Sequence, residues 1–293
     1  MTKILSPPLP TVLTIAGSDC SAGAGLQADL KTIHALGGYA LTVATAITAQ
    51  NSQGVSAVYP LPAHVVQAQL QAIAEDYDIQ AIKIGMLGNL EILQSVIQFL
   101  QTLKHPTVIL DPVLMSSSGK PLLEKEAWSV LIDDLLPLTH LVTPNIPEIN
   151  ALLKREGSTL FEGKKEEIPD IAQGLFSLNI NAAVIKGGHS VETLATDYLI
   201  QQDARLKKTV DIQSYSTERV NTHNTHGTGC TYASAIATEL AKGETLTDAV
   251  QQAKQYLFKA LNYANKTQPN YQAALNLSKT RKGGLNHFNL GSE

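Results

Sequence analysis

Short apolar runs rich in β-branched residues alternate along the chain with stretches whose apolar positions recur at helical spacing. The runs Val12–Ala16, Tyr39–Thr48, Ala81–Ile84, Thr107–Leu110, His140–Val142 and Ala182–Ile185 read as buried strands. Between the first two, Leu26, Leu30, Ile33 and Leu36 line one side of a helix over 25–36, which Gly37 and Gly38 stop. The same spacing predicts helices over 62–76, 90–103, 124–135, 146–153 and 168–178, and two more over 230–241 and 247–263. Val55–Tyr59 reads as a short strand closing a hairpin-like excursion, and 194–201 with 210–215 as a late β pair. The charged segment 154–168 reads as a surface loop. Strands alternating with helices specify right-handed crossovers and a mostly parallel sheet covered on both faces. No internal repeat or long linker divides the chain, which therefore reads as one domain over 1–293, with 1–11 as an N-terminal extension.

Composition narrows the function classes. Of 293 residues, 44% are hydrophobic and 16% charged, which describes a globular chain with a full core. The net charge of −4 and the lack of any Lys/Arg cluster argue against nucleic-acid binding. Two cysteines, Cys20 and Cys230, make neither a disulfide framework nor a zinc site, so a reducing cytoplasmic setting is expected. Residues 32–74 carry no Asp, Glu, Lys or Arg, yet no window of about 20 consecutive apolar residues exists to span a membrane. Prolines between Pro7 and Pro10 break any signal-peptide core.

Parallel sheets bind ligands at the carboxyl ends of their strands. The residues that follow the predicted strands include Asp19, Gln50, Met86, Asp111, Asn145 and Lys186. The strongest local feature is Asn224-Thr225-His226-Gly227-Thr228-Gly229-Cys230-Thr231, which opens a helix. Glycines there let backbone N–H groups converge, and the helix start adds about half a positive charge. That arrangement suits a phosphate. Cys230 falls in the first helical turn, where a thiol is expected to have a lowered pKa and to act as base or nucleophile; alternatively it is a small residue packing helix to sheet. Asn145 and Glu148 stand three apart at a helix start. They read either as a capping box or, with Asp111, as carboxylates near a Mg²⁺ ion. Other motifs fail. Gly23-Ala24-Gly25-Leu26-Gln27-Ala28 lacks the later acidic residue of a dinucleotide site, and no Walker loop or GxSxG elbow occurs. His223 and His226 have no third ligand nearby in sequence and read as loop residues.

The stretches LTIAGSDCSAGAGLQADLKT, TAITAQNSQGV, IKIGML, ILDPVLMSSSG, LVTPNIPEINAL, VIKGGH, NTHGTGCTYASAIA and GGLNHF run in order from about residue 12 to residue 288. Together they resemble the hydroxymethylpyrimidine/phosphomethylpyrimidine kinases of thiamine biosynthesis, in the ribokinase-like superfamily. The resemblance implies an α/β three-layer sandwich with a small β flap. It implies ATP with Mg²⁺ as donor, and phosphorylation of 4-amino-5-hydroxymethyl-2-methylpyrimidine and then of its monophosphate. It also implies a cytoplasmic homodimer. Carried over by position, Gln50 reads the pyrimidine edge, with Asp19 and Met86 in the same pocket. Asn145, Lys186, Thr225 and Thr228 meet ATP, the Gly227 and Gly229 amides meet the transferred phosphate, Glu148 and Asp111 serve the metal, and Cys230 stands where sugar kinases of the fold place an aspartate base. Two positions depart from the family: the flap loop reads Ser116-Ser117-Ser118 with Lys120 beyond, where a Lys is common, and Cys20 follows Asp19, with no role assigned. The alternatives are a pyridoxal/pyridoxine kinase of the same fold, a pyrimidine sensor without turnover, and a thiol hydrolase, for which no orienting His–Asn/Asp pair is visible.

Overall fold

The computed structural model describes residues 9–51, 54–104, 106–115, 122–189, 193–202, 210–266 and 284–287. The flap-loop positions Ser116–Ser118 and Lys120 lie outside them. Nine strands are present among the described residues: β1 (Thr11–Asp19), β2 (Tyr39–Asn51), β3 (Gly54–Pro60), β4 (Ala81–Ile84), β5 (Thr107–Leu110), β6 (Leu141–Val142), β7 (Ala182–Ile185), β8 (Leu194–Gln202) and β9 (Val210–Glu218). They form one sheet in the order β3-β2-β1-β4-β5-β6-β7-β8-β9. The six strands from β2 through β7 in that order run parallel. Antiparallel strands close both edges, β3 on one side and the β8–β9 pair on the other.

Helices α1 (Gly25–Ala35), α7 (Thr228–Ala241) and α8 (Leu246–Lys266) cover one face, and α2 (Ala63–Asp76), α3 (Leu90–Thr102), α5 (Ile146–Leu152) and α6 (Ile168–Ser177) the other. The short α4 (Trp128–Val130) also packs on this second face. Alternation along β1 divides its side chains between the two layers: Val12 belongs to the core under α7 with Tyr232 and Ile236, while Leu13 and Ile15 join Leu93 and Val96 of α3. Both faces of the parallel strands are covered, so their sequences are apolar without alternation. Helix α7 is buried from Thr231 to Glu239. Its alanines at 233, 235 and 237 let it lie close on the sheet, with its N-terminus at the carboxyl ends of the strands.

Two expectations change. The helix expected over 124–135 is a 3₁₀ turn (Lys125–Ala127), α4, a π turn (Leu131–Leu135) and a further 3₁₀ turn (Leu136–Leu138), where Pro137 cannot extend an α ladder. The segment 154–168 is not merely a surface loop. It inserts Phe161, 2% exposed, into the core, and the Asn150 side chain bonds both its N–H and its carbonyl oxygen.

Strand β2 does two jobs. Its first part pairs parallel with β1, and its outer part turns antiparallel against β3. Register shifts at Ala16/Ser18 and at Ala49/Gln50 bend the strands where the site begins.

Candidate active site

A cavity of about 650 Å³ opens at the carboxyl edge of the parallel strands. Asp19, Gln50, Met86, Asp111, Asn145, Glu148, Lys186, Thr225, Gly227, Thr228, Gly229 and Cys230 all line it. The twelve residues singled out from the sequence are thus brought together in one place.

At one end, Gly227 caps α7 with φ +82°, a left-handed conformation that suits glycine. A Cβ at 227 would come within 1.9 Å of the Gly23 carbonyl oxygen. At Gly229 a Cβ would point into the site, 3.3 Å from both Asp111 Oδ2 and Lys186 Nζ. The first-turn N–H groups of α7 lack intrahelical acceptors and face this space, a geometry made for an anion. Thr225 ties the turn, its carbonyl accepting from the Thr228 hydroxyl at 3.1 Å. Lys186 Nζ donates to Asp111 Oδ1 at 2.7 Å and lies 4.0 Å from Glu148 Oε2. Thr143 also donates to Asp111 Oδ1. Burial works against the charge on Asp111, but Lys186 and Lys83 outweigh it and hold the carboxyl below its ordinary range. Glu148 goes the other way: burial pushes it up to about 7, against the pull of Lys186.

Asn145 and Glu148 form a capping box on α5, with Glu148 N–H donating to Asn145 Oδ1 and Asn145 N–H to Glu148 Oε2. The structural reading of this pair is therefore real. It also fixes Glu148 with its carboxylate in the cavity.

At the other end, Asp19 is 2% exposed and accepts from the Ser21 N–H and hydroxyl, from the Gly23 and Ala24 N–H groups, and from His226 Nε2 at 2.8 Å. Burial raises its pKa, but His226 and the other donors overcome this and hold it near 2. The same His226 nitrogen lies 3.0 Å from Gln50 Nε2. The Gln50 amide oxygen in turn accepts from the Thr48 hydroxyl at 3.2 Å, so both ends of the amide are oriented by neighbours. Cys20 braces Gln50 by its backbone, Sγ donating to the carbonyl and accepting from the N–H. Met86, held by the Thr45 hydroxyl at its carbonyl, packs with Ala46 and Leu122 as an apolar wall.

Cys230 corrects an expectation. Its thiol is not lowered but pushed up to about 11, because burial outweighs Lys83. The helix start does not compensate for the lost water. Sequence reasoning also missed His226, Lys83 and Asp29. His226 joins the anion loop to Asp19. Lys83 and Asp29 form a fully buried ion pair beneath Cys230. A signal was available: Lys83 sits inside the buried strand AIKI, and Asp29 on the apolar side of α1.

A sequence model of the phosphomethylpyrimidine kinase family matches residues 19–274. The hydroxymethylpyrimidine/phosphomethylpyrimidine kinase of Haemophilus influenzae is 43% identical over 255 residues, 86% of this chain and 91% of that protein. The Escherichia coli enzyme of the same name is 39% identical, with 86% and 91% covered. Among solved structures, the phosphomethylpyrimidine kinase of Clostridium difficile superposes with a TM-score of 0.71 at 36% identity, covering 86% of this chain and 99% of that one. Staphylococcus aureus pyridoxal kinase in complex with pyridoxal gives 0.75 at 32%, covering 87% and 88%.

Proposed function

The chain belongs to the phosphomethylpyrimidine kinase family, and from that premise we propose that it phosphorylates 4-amino-5-hydroxymethyl-2-methylpyrimidine and then the resulting monophosphate, in thiamine biosynthesis. The observation that carries the site assignment is the convergence of an anion-binding helix start, two lysines, three carboxylates and the Gln50 and Asn145 amides on one cavity. Gln50 reads the amino and ring-nitrogen edge, since an amide donates and accepts at once. Met86 supports the ring face, and Asp19 with His226 holds the pocket wall. Lys186, Asn145, Thr225 and Thr228 bind ATP phosphates.

Among the described residues no group of three or more His, Cys, Asp or Glu side chains is arranged to hold a metal alone. Asp111 and Glu148, the latter short of a compensating positive charge, fit a Mg²⁺ ion held chiefly by water and phosphate oxygens. When bound, that ion neutralises charge on the phosphates.

In the first step the hydroxymethyl oxygen bonds to the γ-phosphorus, the bond from that phosphorus to the bridging oxygen breaks, and ADP leaves. The alcohol proton passes to Cys230 Sγ. The Gly227–Gly229 amides take up charge on the transferred group, and positioning supplies most of the acceleration. In the second step the nucleophile is a phosphate oxygen, already largely ionised at neutral pH, which needs no base. The single sheet of the described residues supports reading the chain as one kinase domain, though Thr11, read as the end of an N-terminal extension, already opens β1; family precedent supports a cytoplasmic homodimer.

A second reading, pyridoxal kinase, draws on the superposition with the Staphylococcus aureus enzyme. ADP release with Mg²⁺-ATP, using the pyrimidine, its monophosphate and pyridoxal as separate acceptors, tests both. Turnover with both pyrimidines and little with pyridoxal is the expected result; dominant pyridoxal turnover overturns the assignment.

A further inference from the structure

Lys83 stands in the middle of β4 with no exposure at all, in a strand whose other three residues are apolar. Its ammonium donates to both oxygens of Asp29, at 3.0 and 2.9 Å. Asp29 is fixed in turn by the Thr14 hydroxyl of β1 at 2.6 Å and the Ser234 hydroxyl of α7 at 2.8 Å. Packing does not demand this. A buried ion pair is often matched or bettered by apolar residues of the same volume, so its charge calls for another explanation.

The placement supplies one. Ser234 lies four residues after Cys230 and on the same side of α7, so Cys230 faces the pair as well. Lys83 also lines the active-site cavity. Gly85 leaves it room to do so, since a Cβ there would stand 2.9 Å from Lys83 Nζ. The charged groups around the sulfur are Lys83 from β4, Asp29 from α1, Asp111 after β5 and Lys186 after β7. Lys186 is engaged with Asp111.

We propose that Lys83 is a positioning residue for Cys230: fixed against Asp29, its ammonium stands behind the sulfur and supports the negative charge that the sulfur takes on when it accepts a proton. This rests on reading Cys230 as the base of the first phosphorylation. Burial, Asp29 and Asp111 all oppose a thiolate, and Lys83 is the strongest influence in its favour. Asp29 fixes the place of Lys83 and at the same time offsets part of its charge at the sulfur.

The test is the rate at which iodoacetamide alkylates Cys230 without substrate, at about pH 8.5, where only the thiolate reacts. A Cys20→Ser background leaves Cys230 as the single thiol. Lys83→Gln should slow alkylation about tenfold, the effect of one pKa unit, and Asp29→Asn should speed it. Opposite signs are the signature, because loosening of the structure would move both variants the same way. Should either single variant fail to fold, the amide pair Lys83→Gln with Asp29→Asn still slows alkylation about threefold, since Lys83 outweighs Asp29 at the thiol. Unchanged rates, or changes of the same sign in both single variants, overturn the proposal. The base reading is judged separately, by Cys230→Ala turnover with each acceptor. Equal losses in the two steps would remove that reading, while the alkylation rates still report whether Lys83 acts on the sulfur.

Discussion

A thiol at about 11 is scarce as thiolate near neutrality, and this makes Cys230 testable by pH. If it takes the proton, first-step kcat should rise with pH, up to tenfold per unit, throughout the range below about 10, because the deprotonated form is the active one. The second step should level off once its phosphate nucleophile is ionised, above about pH 7. Cys230→Ala should lower the first step by about 10²–10⁴-fold and the second far less, read by single-turnover assays of each. Asp19 offers a different check. Its folded pKa lies near 2, below the usual carboxylate value, so its contribution to stability is full above about pH 4 and is lost as pH falls towards 2. Urea midpoints of Asp19→Asn should depend less on pH across that window than those of the parent. Single residues were the least legible level of the sequence. Gln50 and Lys186 stood out because they follow strands. His226 did not, because its partner Asp19 is 207 positions away and only the folded chain brings the two together.

The start of helix α7 can be dissected by two glycines with opposite reasons for being there. Gly227→Ala forces a side chain into a left-handed turn and against the Gly23 carbonyl, and should lower stability by about 2 kcal/mol or more. Gly229 has helical backbone, and a Cβ there would stand 3.3 Å from Asp111 Oδ2 and from the end of the long Lys186 side chain, which can give way. Gly229→Ala should keep or raise the melting temperature, because alanine is the better helix former by about 1 kcal/mol, and should lose most kinase activity as the methyl fills the space for the phosphate. Melting curves and turnover measured together separate the two. Elements were well read from the pattern because apolar periodicity follows directly from which faces are covered. The exceptions, 124–138 and Phe161, are places where side-chain packing overrides local spacing.

At the scale of the whole molecule, distant segments meet at one edge of the sheet. Gly284 near the C-terminus bridges to His226, and Leu285 and His287 beyond it are buried. His287 Nδ1 and the Tyr256 hydroxyl of α8 are hydrogen-bonded at 3.0 Å, and burial, with Lys31 adding to it, presses the His287 pKa down to about 4. The unfolded chain therefore binds a proton that the folded one refuses, so stability should fall as pH drops from about 6.5 towards 4. His287→Phe should flatten that slope in thermal melts taken at a series of pH values. The ordered series of motifs made the architecture and the family visible from the sequence. The joining of the two glycine loops, where His226 presses on Gly23, was invisible, because contact between residues so far apart leaves no local pattern.

The two-sided pairing of β2 bears on how this scaffold changes its diet. Gln50 rides on the part of β2 beyond its pairing with β1, held by β3 alone, on a strand whose root is clamped in the core, much as a bowsprit is carried by a hull. If Gln50 reads the ring as proposed, replacements beyond the bend at Ala49 should alter which ring is accepted while leaving the half paired with β1 untouched. Recognition can drift there at little risk to folding, and the phosphate machinery, built on other strands, need not change with it.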